Sequence, residues 1–580
     1  MRPHPCSTIS CSLYHNHIRD ATLLATLQGK RQYTGGPVQH VAFKNVIPEA
    51  DLAVRLITNY ARLEGAWYRP DEVFTADQHG WPGDWEGRLI LALALHQKAS
   101  GRSPAWLTEI LARIPSHLNK RGYFGAVLPD GVNDEQQMAG HSWYLRGLLE
   151  CRSLGYAKRV DPLLDNVVET LLLPSRGNYA RYPLDPATRW DSPHWKLSQL
   201  QKKRSTHAET SDCGCAFIML DGATAYYEHT GDTRMRELIL EMIARYRRLD
   251  FEGLHVQTHA TLSALRGILR MYRLENDPAL LALVKTVFAL YKRKAWTAAY
   301  GNYNWFGLPR WTEPCAIIDS FLLAMQLWQA TGEPRWLNDA HHIYYNAMAH
   351  AQRATGAFGT DTCVGPAGKL LEPITYEVVW CCTMRGAEGL TSAAAYSFFA
   401  DRNSISLPFY HTCRARVSVG RGEVALRETS AFPAEGRVRL EVLQSSVKRP
   451  VTLRFFVPPG CGPALTITCN GRRVQSRRRA GMVAVECSLR RGTVVDVSFA
   501  VKLEQAETIV GEGPQRGMVF RHGPSILGVE TDGAIGRRPR AEPEYIGNGR
   551  YARTRGKSVL RPLWDITRMT TAQSKLQVIF

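Results

Sequence analysis

Over 580 residues the chain is 44% hydrophobic and 22% charged, which suits a globular protein with more than one buried core. Its 72 Lys and Arg against 53 Asp and Glu leave a net charge of +19, and no apolar run approaches the roughly 20 residues that cross a bilayer, which excludes a membrane-spanning helix. The 13 cysteines are odd in number and lack the spacing of a small disulfide scaffold.

Residues 1–45 read as a lead-in. The opening MRPHPCSTISCSLYHNHIRD has no apolar centre, so it is not read as a secretory signal, and the thiols are expected to be reduced in a cytoplasm. From 46 to 403 the period is helical. Segments such as EADLAVRLITNYARL, WEGRLILALALHQKA and AIIDSFLLAMQLWQATG place apolar residues at i, i+3, i+4 and i+7, and turns such as HTGD and TGEP separate them. About twelve such segments, in pairs, predict a mainly α protein with added β: an (α/α)6-type helical toroid followed by a C-terminal β-sandwich. The period switches to two over 404–503, where ARVSV, RVRLEVLQ, VTLRFFVP and VVDVSFAVKL read as strands of that sandwich. Residues 504–580 carry further strands and a tail packed on the sandwich or the toroid. The arginine-rich stretches NGRRVQSRRR and GAIGRRPR fall in turns, with no nucleic-acid motif beside them, so they read as solvated basic surface.

Chemistry concentrates at RWTEPCAIIDS and EVVWCCTMRG. Glu313 and Cys315 stand two apart at a helix start, and Cys381 and Cys382 follow at the end of a short strand. One carboxylate and three thiols make a tetrahedral Zn²⁺ donor set. Two unrelated buried cysteines with a capping glutamate, or a vicinal disulfide, account for the same residues. Trp and Tyr in QHGWPGDW and YGNYNWFG suit sugar stacking, with Trp85, Trp305 and His79 as candidates. His207 is a weaker candidate, and the CGC at Cys213–Cys215 reads as core. Neither HExxH nor GxSxG occurs, and the glycine-rich stretches lack the setting of a phosphate loop.

The stretch TEPCAIIDSFLLAMQLWQATGEPRWLNDAHHIYYNAMAHA, with WCC downstream, resembles glycoside hydrolase family 127, the β-L-arabinofuranosidases and their relatives. WPGDWEGRLILALA, DEQQMAGHSWYLRGLLE and THATLSALRG resemble further segments of the family. The likeness runs weakly from about residue 53 to 530. It implies zinc held by Glu313, Cys315, Cys381 and Cys382, with Cys381 as the nucleophile of a retaining mechanism. It also implies that His141, His259 and Tyr345 bind substrate, and that the partner is a carbohydrate rather than nucleic acid or membrane. A homodimer is compatible with it.

Two departures stand out. The family's general acid/base glutamate falls, by position, in AWTAAYGNYNWFGLPRW, which has no carboxylate, and its CCPPN becomes Cys381-Cys382-Thr383-Met384-Arg385. Asp84, Glu86, Glu209 and Glu377 are the substitutes to consider. Glu377 is favoured because a strand would set Glu377, Val379 and Cys381 on one face. The alternatives are a zinc-stabilised sugar-binding protein without catalysis, and a polysaccharide lyase.

Overall fold

A computed structural model describes residues 39–75, 80–197, 213–458, 460–479, 481–511, 515–539, 542–552, 558–566 and 569–580. His79, His207 and Glu209 lie outside the described residues. Six helices form an inner ring: α2 (Asp84–Ser100), α4 (Glu135–Cys151), α6 (Met219–Thr230), α8 (Thr258–Glu275), α10 (Pro314–Thr331) and α12 (Cys382–Ala395). Each packs on the next, and α12 closes the ring against α2. Six outer helices alternate with them: α1 (Ala50–Leu63), α3 (Leu107–Arg113), α5 (Ala157–Val167), α7 (Thr233–Tyr246), α9 (Pro278–Lys294) and α11 (Pro334–Tyr345). The fold is therefore an (α/α)6 toroid. No helix among the described residues is long and apolar enough to cross a membrane.

The two rings differ as their burial demands. Outer α1 buries one stripe, Leu52, Leu56, Tyr60 and Leu63, whereas inner α2 is buried on every side from Asp84 to His96. Local chemistry fixes the ends. Asp134 caps α4 by accepting from the Gln136 and Gln137 amides, each at 2.9 Å, and Asp277 caps α9 ahead of Pro278. The HTGD and TGEP turns end α6 and α10 with Gly231 and Gly332 in the left-handed region. Inner helices also meet closely. A Cβ at Gly87 of α2 would lie 2.2 Å from the Tyr144 amide nitrogen of α4, so only glycine admits this approach.

The sandwich follows. One sheet has the order β1 (Gln39–His40), β3 (Phe399–Ala400), β4 (Ser404–Leu407), β8 (Val451–Phe456), β12 (Met482–Cys487), β11 (Arg477–Arg479). The other runs β10 (Arg472–Arg473), β9 (Cys461–Cys469), β13 (Val494–Val501), β7 (Gly436–Ser445), β6 (Gly422–Ser430), β5 (Cys413–Val419), β2 (Val46–Pro48). Strict alternation along β5 turns Ala415, Val417 and Val419 inward and Arg414 and Arg416 out. A third sheet contains β14 (Leu503–Ile509), β15 (Arg516–His522), β16 (Ser525–Glu530) and strands near the C-terminus. It is pinned to the toroid where Asn346 Nδ2 donates to the Pro524 carbonyl at 2.8 Å and the Ile526 amide donates to Asn346 Oδ1 at 2.6 Å.

Glu428 on β6 is fully buried, and neither carboxyl oxygen has a hydrogen-bond partner. Burial pushes this carboxyl well above the ordinary range, with only the His411 backbone to oppose it. The folded chain thus holds this proton more tightly than the unfolded chain. The stability linked to it is complete below about pH 4, the unfolded glutamate range, and is lost as pH rises through the raised value. Glu428→Gln is expected to raise the melting midpoint at pH 8, by about 1–3 kcal/mol of stability. It should leave the midpoint at pH 5 nearly unchanged, as melts across that range would show.

Candidate metal centre and active site

Two inner helices start at one place. Glu313 is the N-cap of α10, with Pro314 and Cys315 in its first turn, and Cys381 is the N-cap of α12, with Cys382 its first residue. The 66 residues between Cys315 and Cys381 are bridged by the ring, and the sulfurs of Cys315, Cys381 and Cys382 converge. Cys381 Sγ is 3.3 Å from Cys382 Sγ, and Cys315 Sγ is 3.6 Å from Cys382 Sγ. The positive ends of two helices face these sulfurs, a setting that favours thiolate. Hydrogen bonds from Cys315 and Cys382 bring Cys381 down to about 6 against the effect of burial, and Arg88 helps, while burial pushes Cys315 up to about 11.

Around the sulfurs the polar groups are layered. Arg88 Nη1 donates to Cys315 Sγ at 3.5 Å while its Nε donates to Asp84 Oδ2 at 2.8 Å, and its guanidinium lies 4.4 Å over the Trp143 ring. His259 stacks on Trp143, with ring centroids 5.6 Å apart. Its Nδ1 stands 3.3 Å from Glu313 Oε1 and its Nε2 3.5 Å from Asp319 Oδ2. Burial alone would lower His259, but Glu313 and then Cys315 outweigh it and hold the imidazole above its ordinary range. Burial pushes the Glu313 carboxyl up, against the pull of His259. Asn302 fixes the Glu313 backbone, accepting its amide at 3.0 Å.

Behind this layer runs an ionic network that the sequence did not disclose. Asp319 accepts from Arg266 at 2.6 Å, from Ser263 at 2.5 Å and from Arg385. Glu388 accepts from Arg266 at 2.7 Å, from Arg146 at 2.8 Å and from Arg385. Asp221 accepts from Arg270 at 2.8 Å and faces Arg146 at 3.0 Å. These residues come from α4, α6, α8, α10 and α12, so the network ties the inner ring together beneath the thiols. Its only trace in the sequence is charge inside apolar helical runs, as in SALRGILR, AIIDSF and TMRGAEG.

The structure corrects several expectations. No strand carries the cysteine pair: residues 376–381 form a bend and turn that leads into α12. The shared face that favoured Glu377 does not exist, and both Glu377 oxygens accept from Arg62, at 2.7 and 2.6 Å. That pairing suits a group that holds Arg62 or orients a water more than one that hands a proton to a leaving group. His141 has no nitrogen left for a ligand, since Nδ1 donates to the Gln137 carbonyl at 2.7 Å and Nε2 accepts the Phe124 amide at 3.1 Å. Tyr345 packs away from the cluster, its ring 5.5 Å from Phe432 of the β6–β7 connection. Trp305 is fully buried against Trp311 in the loop before Glu313, a wall rather than a platform. Trp85 is buried in the first turn of α2, one turn ahead of Arg88. Glu313, Cys315, Cys381, Cys382 and His259 are brought together.

The donor set fits zinc. Tetrahedral sulfurs at bonds of about 2.3 Å stand about 3.8 Å apart, close to the 3.3 and 3.6 Å seen here. Glu313 Oε2 is buried without a hydrogen-bond partner, as a carboxylate oxygen awaiting a cation would be.

Comparison with known proteins agrees with this architecture. Residues 404–501 match the family described as β-L-arabinofuranosidase, GH127 middle domain. No curated protein sequence matches the chain. Among solved structures, one titled glycoside hydrolase shares 13% identity at a TM-score of 0.67, over 94% of this chain and 97% of its own. A GH127 β-arabinofuranosidase shares 13% at 0.66, over 94% and 98%. The GH127 β-L-arabinofuranosidase of Geobacillus stearothermophilus T6 shares 13% at 0.53, over 92% and 99%. The family model matches the sandwich, residues 404–501, and the solved structures, at 13% identity, share the fold of the whole chain. Among glycoside hydrolases, the resemblance of this chain is to family 127.

Proposed function

We propose that the protein is a retaining glycoside hydrolase for a furanoside-type sugar of the β-L-arabinofuranoside kind, with Cys381 as nucleophile and Zn²⁺ held by Glu313, Cys315, Cys381 and Cys382. The observation that carries this reading is the convergence of the thiols of Cys315, Cys381 and Cys382 at two helix N-termini, with Cys315 shared by a second group of Glu313 and His259 in which Glu313 Oε2 has no hydrogen-bond partner. The metal, when bound, supplies the positive charge that keeps several adjacent sulfurs deprotonated.

In this reading the Cys381 sulfur attacks the anomeric carbon, a C–S bond forms, and the bond from that carbon to the leaving-group oxygen breaks; an aryl leaving group departs as the aryl oxide and takes its proton from solvent water, and the proton released by the water of the second step returns to solvent. Water then cleaves the C–S bond and regenerates the sulfur, so configuration is retained. His259 braces Glu313 from behind, with Asp319 fixing the far side of its ring. Arg88 steadies Cys315 and limits the negative charge that builds around it. Glu377, held by Arg62 near the chain segment of Cys381, is the candidate to orient the water.

The loop before α10 favours a second reading. Where the family's proton donor is expected, the chain offers the buried amides Asn302 and Asn304, as a sugar-binding protein that retained zinc for stability would. Metal analysis and turnover separate the two. The enzyme reading expects about one zinc per chain, release of aryl alcohol from an aryl β-L-arabinofuranoside, and loss of both in Glu313→Ala. Zinc without turnover supports the binding protein, and turnover without metal overturns the site.

A further inference from the structure

One end of the β-sandwich is built of cationic loops. Lys448 and Arg449 connect β7 to β8, Arg472 and Arg473 follow the turn after β9, and Arg490 and Arg491 lead into β13. The backbone brings these loops together. The Asn470 amide donates to the Val494 carbonyl at 2.8 Å, the Gly492 amide donates to the Val442 carbonyl at 2.8 Å, and Val451 pairs with Cys487. Arg421, in the β5–β6 turn, lies at the same end, where the Ser446 amide donates to the Glu423 carbonyl. All seven side chains are exposed, and none is in an ion pair or a side-chain hydrogen bond among the described residues. Two nearby acids are engaged elsewhere, Glu423 facing Arg416 at 3.5 Å and Asp496 accepting from Arg439 at 2.7 Å, and one, Glu486 on β12, is exposed beside the patch. The loops themselves contain no Asp or Glu and no Phe, Tyr, Trp or His.

We infer that this end of the sandwich is a docking surface for an acidic polysaccharide, a polyuronate in chemical class. The cations are spread over four loops, so an extended polyanion matches them better than a small anion. Guanidinium groups pair with planar carboxylates through two parallel hydrogen bonds. Single-stranded nucleic acid is disfavoured because the loops hold no aromatic side chain on which successive bases would stack, and duplex DNA because the cations sit on loops and a two-residue strand rather than on a helix that could enter a groove. The choice of a glycan among polyanions rests on the glycosidase reading above. The chain reaches this end of the sandwich after α12, where the Thr452 amide donates to the Asn403 carbonyl, whereas Cys381 and Cys382 stand at the start of α12, whose 14 residues span about 21 Å. The surface therefore anchors the enzyme on a polymer without presenting sugar to the sulfur.

The test is affinity electrophoresis of the full chain in gels holding polygalacturonate or neutral arabinan, with duplex DNA as a third arm. Polygalacturonate is expected to retard the protein at low salt, with the effect gone at about 0.5 M NaCl. Arg472→Glu, Arg473→Glu, Arg490→Glu and Arg491→Glu combined should weaken this binding about tenfold or more. The four-glutamine version should weaken it less, and the same four reversals at Lys158, Arg247, Arg248 and Arg293 on the toroid should not. Each variant should keep its circular dichroism and its rate on the small aryl furanoside. Equal retardation by arabinan, unchanged binding in both the Glu and Gln variants, or tighter binding to DNA overturns the proposal. Binding is read without turnover, so this surface can fail while the active-site reading stands, and the reverse.

Discussion

Cys381→Ser is expected to lower turnover of an aryl β-L-arabinofuranoside by at least about 10⁴-fold, the scale seen when a covalent nucleophile is removed. The reason is electronic. Of the three thiols, Cys381 alone is brought below its ordinary range, by hydrogen bonds from its two neighbours and by Arg88. A serine hydroxyl at that N-cap would stay protonated and is a poorer partner for zinc. Cys382 is buried in the first turn of α12 whereas Cys381 is partly exposed at its N-cap, so Cys382 does not take its place. Full activity in Cys381→Ser, measured as kcat/KM with metal content checked alongside, would remove the nucleophile assignment.

Glu388→Ala is expected to cost about 3–5 kcal/mol of stability, the scale for removing one partner of a buried ion pair. Glu388 sits beneath Arg146, Arg266 and Arg385, so its removal leaves three guanidinium groups sharing Asp221 and Asp319 in a buried site. Glu388→Gln should cost less, because the amide oxygen still accepts. Urea or thermal midpoints of the three proteins check this. A loss below about 1 kcal/mol for Glu388→Ala would mean that water reaches the network.

How much of this could be read in the sequence depended on what each residue needed. The ring of helices was legible because α1 buries a single stripe at helical spacing while α2 and α10 are apolar on all sides. Glu313, Cys315, Cys381 and Cys382 could be singled out because of the resemblance to glycoside hydrolase family 127; their spacing alone left a capping glutamate with unrelated cysteines open. The local form around the pair was not. YEVVW carries the composition of a strand, but the Val378 amide is taken by the Phe358 carbonyl and Glu377 by Arg62, and those partners lie outside any local window. His141 shows the same limit, since only the fold reveals that backbone groups take both ring nitrogens. The ionic network was least visible, because each charge looks misplaced on its own helix until the partners on neighbouring helices are known. Arg88 could have been suspected from Asp84, four residues earlier on a buried helix.

The account stands most directly on where the sugar is carried. Rapid quenching of the zinc-loaded protein with a slowly hydrolysed aryl β-L-arabinofuranoside, followed by peptide mass mapping, should find one pentosyl group on the peptide that contains Cys381, lost on further incubation. A pentosyl group on a carboxylate, or steady turnover with Cys381 never modified, would contradict it.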